Sequence, residues 1–269
     1  MTHSKEERNL TILVLAALPQ EYAGLERLPF KKISGGPFKR FELSLPGRLV
    51  VLVETGMGAA NAERALSWSL SAYSPDLLVS IGFAGGLDPS MRVGDVCLGS
   101  SLFRMADDAR AAHCEFRIGV PAPLERLCAA LNIRTTGILT ASSPEHKKKF
   151  RYDGPEAPSV IDMESAALAH CRGSSLALVC LRAVSDARDD RIGFDLGEIS
   201  GPDGRVSMGK VLFLALRRPA KIGNFYRLWR RSSKAAKNLG KAAAELLALP
   251  LPELGEIVEG ARVIRCRRD

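Results

Sequence analysis

Residues 160–190 read VIDMESAALAHCRGSSLALVCLRAVSDARDD, and the succession of patterns inside them decides the fold. A short apolar run, Val160-Ile161, leads to two acids, Asp162 and Glu164, on either side of Met163. Met163, Ala166, Ala167 and His170 then recur at the three- and four-residue spacing of a helix buried along one face, and Gly173 is placed to end it. From Leu176 to Ala183 the sequence LALVCLRA is an apolar run of strand length, which predicts a strand covered on both faces. Polarity returns at once with Ser185, Asp186, Asp189 and Asp190. Open α/β sheets bind ligands beyond the carboxyl ends of such strands, which makes Asp186 a candidate active-site acid. An Asp here equally suits the cap of a following helix. Glu164 has the same two readings, a ligand contact or a first-turn acid favoured by the helix dipole.

Working outward, Leu10 to Ala17, LTILVLAA, predicts a central parallel strand. Pro19, Gln20 and Glu21 open a helix, with the proline where its missing N–H is not needed. Glu21 thus falls just past a strand's carboxyl end, as Asp186 does, or is an exposed first-turn acid. KRFELSL and RLVVLV around Pro46-Gly47 predict a hairpin over 39–45 and 48–53. Glu54-Thr55-Gly56-Met57-Gly58 then enters a helix over about 59–72; its glycines suit a plain turn or a close approach to a bound group. Asp76 to Ile81 predicts a further strand, and Gly82-Phe83-Ala84-Gly85-Gly86 a loop whose amides face a ligand. Val93 to Leu98 enters another strand, Arg104 to Arg110 reads as a loop or lid, Pro123 to Leu131 as a helix and Thr136 to Thr140 as a strand. Ser142 to Phe150, SSPEHKKKF, reads as a capped, basic, solvent-facing helix start.

Composition bounds the remaining possibilities. At 269 residues, 25% charged and 46% apolar, the chain can bury a sizeable core and is not disordered. No apolar run approaches the roughly 20 residues of a spanning helix, and MTHSKEERNL lacks a small-residue cleavage site. The six cysteines form no C-x-x-C pair and lie mostly in apolar runs, so buried thiols in a reducing cytoplasm are expected, with no metal site. The net charge of +8 has one source: Arg217 to Lys241 holds nine Lys or Arg and no acid, so the remaining chain sums to about −1. A nearly neutral body argues against a nucleic-acid binder.

Four blocks, taken in order, resemble one family. They are ILVLAALPQEYAGL (Ile12 to Leu25), ETGMGAANAERAL (Glu54 to Leu66), PDLLVSIGFAGGLDPSMRVGDV (Pro75 to Val96), and IDMESAALAH followed by LRAVSD (Ile161 to Asp186). Together they are similar to the nucleoside phosphorylase/nucleosidase superfamily of the purine-nucleoside type, and especially its methylthioadenosine/adenosylhomocysteine nucleosidase-like branch. Gly201 to Leu239 resembles the C-terminal region of the hopanoid-associated members, thought to remove adenine from adenosylhopane.

The resemblance implies a three-layer α/β/α domain over residues 1–216 with a central mixed, partly closed sheet, followed by a basic helical tail and loose C-terminus over 217–269. It implies cleavage of an N-glycosidic bond without a cofactor. Asp186 falls on the general acid at purine N7, Glu21 on the acid that orients water, and Met163 and Glu164 on the pair that holds the ribose. Phe83, Ala84 and Gly85 fall on the loop under the ribose and nucleophile. A departing adenine leaves an oxocarbenium-like sugar, so charge on the base must be neutralised and electron density supplied beneath the ring. An aspartate is ordinarily ionised at neutral pH, so Asp186 is expected in a dry pocket where it shares a proton with the base.

Departures from the family matter too. The phosphate-binding Gly and Arg of phosphorylase members are replaced by Ala17-Leu18-Pro19-Gln20, which favours water over phosphate. Phe83 replaces a polar residue of the nucleophile loop, and the aromatic that some nucleosidases set against adenine is lost near Ser142 to Pro144. In the tail, Leu216, Ile222, Phe225, Leu228, Trp229 and Leu239 alternate with cations, which predicts an amphipathic helix after Pro219. It either packs on the body or lies on anionic lipid at the inner face of the membrane, suited to a very hydrophobic substrate. Homo-oligomers are usual in the family. A carrier that keeps the fold and the nucleoside pocket is the alternative to an enzyme.

Overall fold

The computed structural model describes residues 9–105, 112–142, 147, 150, 156–173, 175–188, 190 and 222–266, with side chains of 222–232 outside the description. Eleven strands form one mixed sheet among these residues. Its parallel centre is β1 (Leu10–Ala16), β4 (Arg48–Glu54), β5 (Leu77–Gly86) and β10 (Ala177–Asp186), with β1 between β4 and β5, and β5 between β1 and β10. β3 (Lys39–Leu45) and β2 (Lys31–Ile33) extend the edge antiparallel.

The other half of the sheet closes on itself. β5 pairs antiparallel with β9 (Pro158–Asp162), β9 runs parallel to β8 (Arg134–Thr140), and β8 runs parallel to β6 (Val96–Met105). β6 pairs antiparallel with β10, which returns to β5. The result is a ring of five strands fused to an open sheet, with β5 and β10 shared by both. β7 (Ala112–Ile118) hangs from β6, and β11 (Val263–Arg265) from β7.

The apolar strand runs lack alternation because both faces are covered. On one face Ile12, Val14, Leu77, Val79, Val179 and Leu181 pack in a single cluster with Leu239, Ala243 and Leu246 of α5 (Ile222–Ala248), Leu254 of α6 (Leu251–Gly260) and Leu124 of α3 (Ala122–Leu131). On the other, Leu13, Leu15, Leu78, Leu178 and Cys180 pack with Ala62 and Leu66 of α2 (Ala59–Tyr73) and Ala166 and Leu168 of α4 (Ser165–Cys171). This is the three-layer α/β/α sandwich with a partly closed sheet that the sequence implies.

Three expectations need correction. Gly82 to Gly86 is not a loop but the second half of β5. The terminus is not loose: Pro252 sits in the first turn of α6, and β11 pairs with β7 while Ile257 and Ala261 are fully buried. A proline at a helix start and a three-residue strand paired far along the chain leave little local signal. Ser142 to Phe150 is not wholly solvent-facing, since Lys147 and Phe150 are buried. The remaining residues of that stretch that lie outside the description are 143–146 and 148–149, and Ala106 to Arg110 of the expected lid also lies outside it. Phe225 and Trp229 lie among the undescribed side chains.

The far half of α5 supports the sheet rather than standing apart from it. Asn238 Nδ2 donates to Gly94 O at 2.7 Å. The Gly94-Asp95 turn in turn brackets Val184, with Gly94 N donating to Val184 O at 2.8 Å and Val184 N to Asp95 O at 2.9 Å. α5 therefore steadies the end of β10 two residues before Asp186. Of the cysteines, Cys97, Cys128 and Cys180 are buried and Cys171 is exposed. Among the described residues no helix is long and apolar enough to cross a membrane.

Candidate active site

The acids singled out in the sequence lie at the carboxyl ends of β1, β9 and β10. Glu21 belongs to the short helix α1 (Pro19–Tyr22), and its side chain folds back on the turn that carries it. Oε2 accepts from Ala17 N at 2.7 Å and Leu18 N at 2.9 Å, and Oε1 accepts from Phe83 N at 2.9 Å. A carboxylate has about four acceptor sites, so roughly one remains for a ligand. The helix is tied down by Tyr22, whose hydroxyl donates to buried Glu54 Oε2 at 2.6 Å, with Lys39 Nζ 3.0 Å from the same oxygen. Burial pushes the Glu21 carboxyl above its ordinary value, against the pull of the Phe83, Leu18 and Ala17 amides and the Arg182 charge.

Glu164 reaches the same cleft from the other side. It stands before the first turn of α4, and its Oε1 accepts from Gly58 N at 2.7 Å. Gly58 begins α2 at φ 90°, a backbone conformation that disfavours side chains, so the Gly56-Met57-Gly58 turn is shaped to aim an amide at this carboxylate. Met163 lies over the turn, its Cε 4.0 Å from where a Cβ on Gly58 would be. Burial, then the negative charges of Asp162 and Glu21, push the Glu164 carboxyl up to about 7, while Arg182 and the Gly58 amide pull the other way.

The residue missed by sequence reasoning is Arg182, inside the apolar run of β10. It is 1% exposed and spends all five of its N–H donors. Nε donates to Asp162 Oδ2 at 2.8 Å, one terminal nitrogen to Ser80 O and Leu181 O, the other to Ser80 Oγ and Ser165 Oγ. Burial works against the Arg182 charge, but Asp162 and the other acids nearby more than offset it and hold the guanidinium protonated. Glu21, Glu164 and Arg182 line one cleft with Thr55, Ser80 and Gly82. The only sequence signal for Arg182 was a lone cation in a run otherwise fit for a core strand.

Asp186 stands beside this cleft rather than in its lining. β10 bulges between Val184 and Asp186, which brings Asp186 opposite Gly85 of β5. A Cβ at Gly85 would stand 3.1 Å from Asp186 Oδ2, and one at Gly82 would stand 3.1 Å from Glu21 Oε1. The glycines of β5 therefore make room for two acids three positions apart on a single strand. The ligand-facing amides expected there are otherwise engaged at Phe83, whose N–H is given to Glu21. The Phe83 ring packs against the α5 side of the core, and Ala84 is buried with its carbonyl 3.4 Å from Ser185 Oγ. Asp186 is 7% exposed, in keeping with the dry environment expected, but it is already paired: Lys147 Nζ lies 2.5 Å from Oδ2, and Ser185 Oγ donates to Oδ1 at 2.8 Å. Just beyond it, Ala187 N donates to Asp190 Oδ2 at 2.8 Å; residues 189 and 191–221, on which the cap reading turns, lie outside the described residues.

A family profile described as the phosphorylase superfamily matches residues 11–199, which span β1 through β10 and every acid above. The chain belongs to the phosphorylase superfamily. Among relatives of this superfamily enzyme, the 5′-methylthioadenosine/S-adenosylhomocysteine nucleosidase of Staphylococcus aureus is 26% identical over 194 residues, covering 64% of this chain and 85% of that protein. The Neisseria meningitidis nucleosidase of the same name, solved with methylthio-immucillin-A, aligns with a TM-score of 0.60 at 23% identity over 88% of this chain and 98% of its own. Futalosine hydrolase of Helicobacter pylori aligns at 0.59 and 16% identity over the same shares. These structures share the fold, and the phosphorylase-superfamily chain described here is an enzyme of the class that cleaves N-glycosidic bonds.

Proposed function

We propose that this enzyme releases adenine from an adenosyl nucleoside by hydrolysis, with Glu21 orienting the attacking water, Met163 and Glu164 holding the ribose and Asp186 serving the purine as general acid. The observation that carries the reading is the meeting of Glu21 and Glu164 in one cleft, with Asp186 beside it, opposite Gly85 of β5. As the bond to the base breaks, positive charge grows on the sugar, and a carboxylate beside it is favourable where water is excluded. The free acceptor site on Glu21 suits a water proton, and general-base help of this kind contributes on the order of 10² to 10⁴ in rate.

The state of Arg182 supports water as the nucleophile. Phosphate binding needs donors aimed into the cleft, and the cation that lines it has all five spent on Asp162, Ser80, Leu181 and Ser165. The substrate we favour is adenosylhopane, on the likeness of Gly201 to Leu239 to hopanoid-associated members, with Arg217 to Lys241 resting on anionic lipid at the inner face of the membrane and the enzyme working as a homo-oligomer. The test is to offer adenosylhopane, methylthioadenosine and adenosine, each with and without inorganic phosphate, and to identify base and sugar products. Free adenine with a ribosyl product in phosphate-free buffer is expected. A ribose 1-phosphate product replaces water by phosphate, preference for methylthioadenosine removes the hopanoid assignment, and no release from any nucleoside leaves a carrier.

A further inference from the structure

Lys147 is a buried cation that neither the cleft nor the sequence blocks account for. Its side chain is 6% exposed, a rare condition for lysine unless it is paired. All three ammonium protons have acceptors: Asp186 Oδ2 at 2.5 Å, Asp186 O at 3.4 Å, and the Ala187 carbonyl. The niche for its stem exists because residue 85 is glycine, since a Cβ there would stand 3.3 Å from Lys147 Cδ and 3.2 Å from Ile161 Cγ2. A surface lysine pinned by chance does not come with a glycine cut to its stem and three main-chain and side-chain acceptors.

This arrangement poses a chemical question for the base side of the site. Both carboxylate oxygens of Asp186 receive hydrogen bonds, Oδ2 from Lys147 and Oδ1 from Ser185. Such a carboxylate can accept from the base but has no proton of its own to give. The nearest dissociable proton among the described residues is on Lys147.

We propose that Lys147 is a positioning residue that supplies, through Asp186, the proton taken up by the leaving purine. The inference rests on the reading of Asp186 as the acid that serves the base. As the bond between C1′ and the purine nitrogen breaks, its electron pair goes to the purine. The N–H bond of Lys147 breaks as an O–H bond forms on Asp186 Oδ2, and that O–H bond breaks in turn as its proton forms an N–H bond on the unprotonated ring nitrogen. Asp186 ends as carboxylate, Lys147 as neutral amine and the base as neutral adenine. Water adds to C1′ and gives its proton to Glu21, and Lys147 recovers a proton from solvent once the products leave. Ser185 keeps Oδ1 engaged, so Oδ2 is the oxygen through which the proton runs.

A leaving group that needs no proton separates this role from simple bracing of the loop. Lys147→Met and Lys147→Arg are compared with the wild type on an adenine nucleoside and on 4-nitrophenyl β-riboside, whose phenolate departs unaided, with unfolding midpoints measured in parallel. Lys147→Met is expected to lower kcat on the adenine nucleoside on the order of 10²-fold or more, the scale of lost general-acid help, with a loss at least about tenfold smaller on the nitrophenyl riboside and KM little changed. Lys147→Arg, which keeps the charge but cannot surrender a proton, should behave like Lys147→Met. Equal losses on both substrates, or rescue by arginine, overturn the proposal and leave a structural ion pair. Should wild-type enzyme release no adenine at all, the reading of Asp186 fails first, a result distinct from either.

Discussion

Two positions on β5, three residues apart, hold the two sides of the site by different means. At Gly82 the side proposed to hold the nucleophile is fixed by the main chain: three amides grip Glu21, and a guanidinium with no donor to spare is locked to Asp162. At Gly85 the side proposed to serve the base is a side-chain pair, Lys147 with Asp186. Backbone donors need no reorganisation during the reaction. A side-chain pair can exchange a proton and shift with a ligand; under the proposed assignment the rigid half faces the sugar and the adjustable half the leaving group.

The largest effect that would break this contrast is expected at Arg182. Arg182→Met strands Asp162 without its cation in the interior and should cost about 3–5 kcal/mol of stability, the usual cost of breaking a buried pair. Denaturant unfolding measures it; a variant as stable as wild type would mean the guanidinium does not brace the rigid half. Next is Glu21→Gln, expected to lower kcat on the order of 10²-fold or more with little change in KM, since its shape is kept while one carboxylate oxygen is replaced by a donor. Steady-state kinetics on the preferred nucleoside checks it, and a KM effect alone would assign Glu21 to binding.

Gly85→Ala sharpens the comparison from the other side. Its Cβ would meet Asp186, Ile161 and Lys147 at 3.1–3.3 Å, and overpacking of that kind costs about 1–3 kcal/mol. Because those neighbours are proposed to form the base side of the site, kcat should fall more than stability does. A drop in melting temperature without a drop in kcat would show that the adjustable half tolerates displacement.

The last test is a matter of pH. Glu164 is raised from its ordinary 4.5 to about 7 in the folded protein, so between those values the native state holds a proton that the unfolded chain has lost. Stability from this group therefore falls as pH rises through that window. Glu164→Gln removes the fall, and unfolding free energy measured from pH 4 to 8 should be flatter in the variant. If the carboxylate form binds the sugar, kcat/KM of the wild type should also rise with pH through about 7; parallel stability slopes for the two proteins would refute the shift.

Much of this was legible in the sequence because strands buried on both faces announce themselves. Leu10 to Ala17, Asp76 to Ile81 and Leu176 to Ala183 read as core strands, and Glu21 and Asp186, just beyond two of them, mark the rim. What stayed hidden depended on partners far along the chain. Arg182 passes for a stray cation until Asp162 and Ser80 are brought beside it. Lys147 is one of three consecutive lysines, and nothing local marks it as turning inward. Gly82 to Gly86 looks like a loop because glycine weakens strands, yet the space it leaves is filled by acids from other elements. The final helix and strand were lost for a similar reason, since β11 exists only as a partner of β7.

Closure of β5, β9, β8, β6 and β10 into a ring has a consequence for how the enzyme meets different molecules. β10 is bonded along both edges, and the turn at Gly94-Asp95 clasps it just short of Asp186. Its main chain is held firm, so under the proposed assignment any adaptation to new guests has to be written in side chains that lean over the hoop, Lys147 first among them.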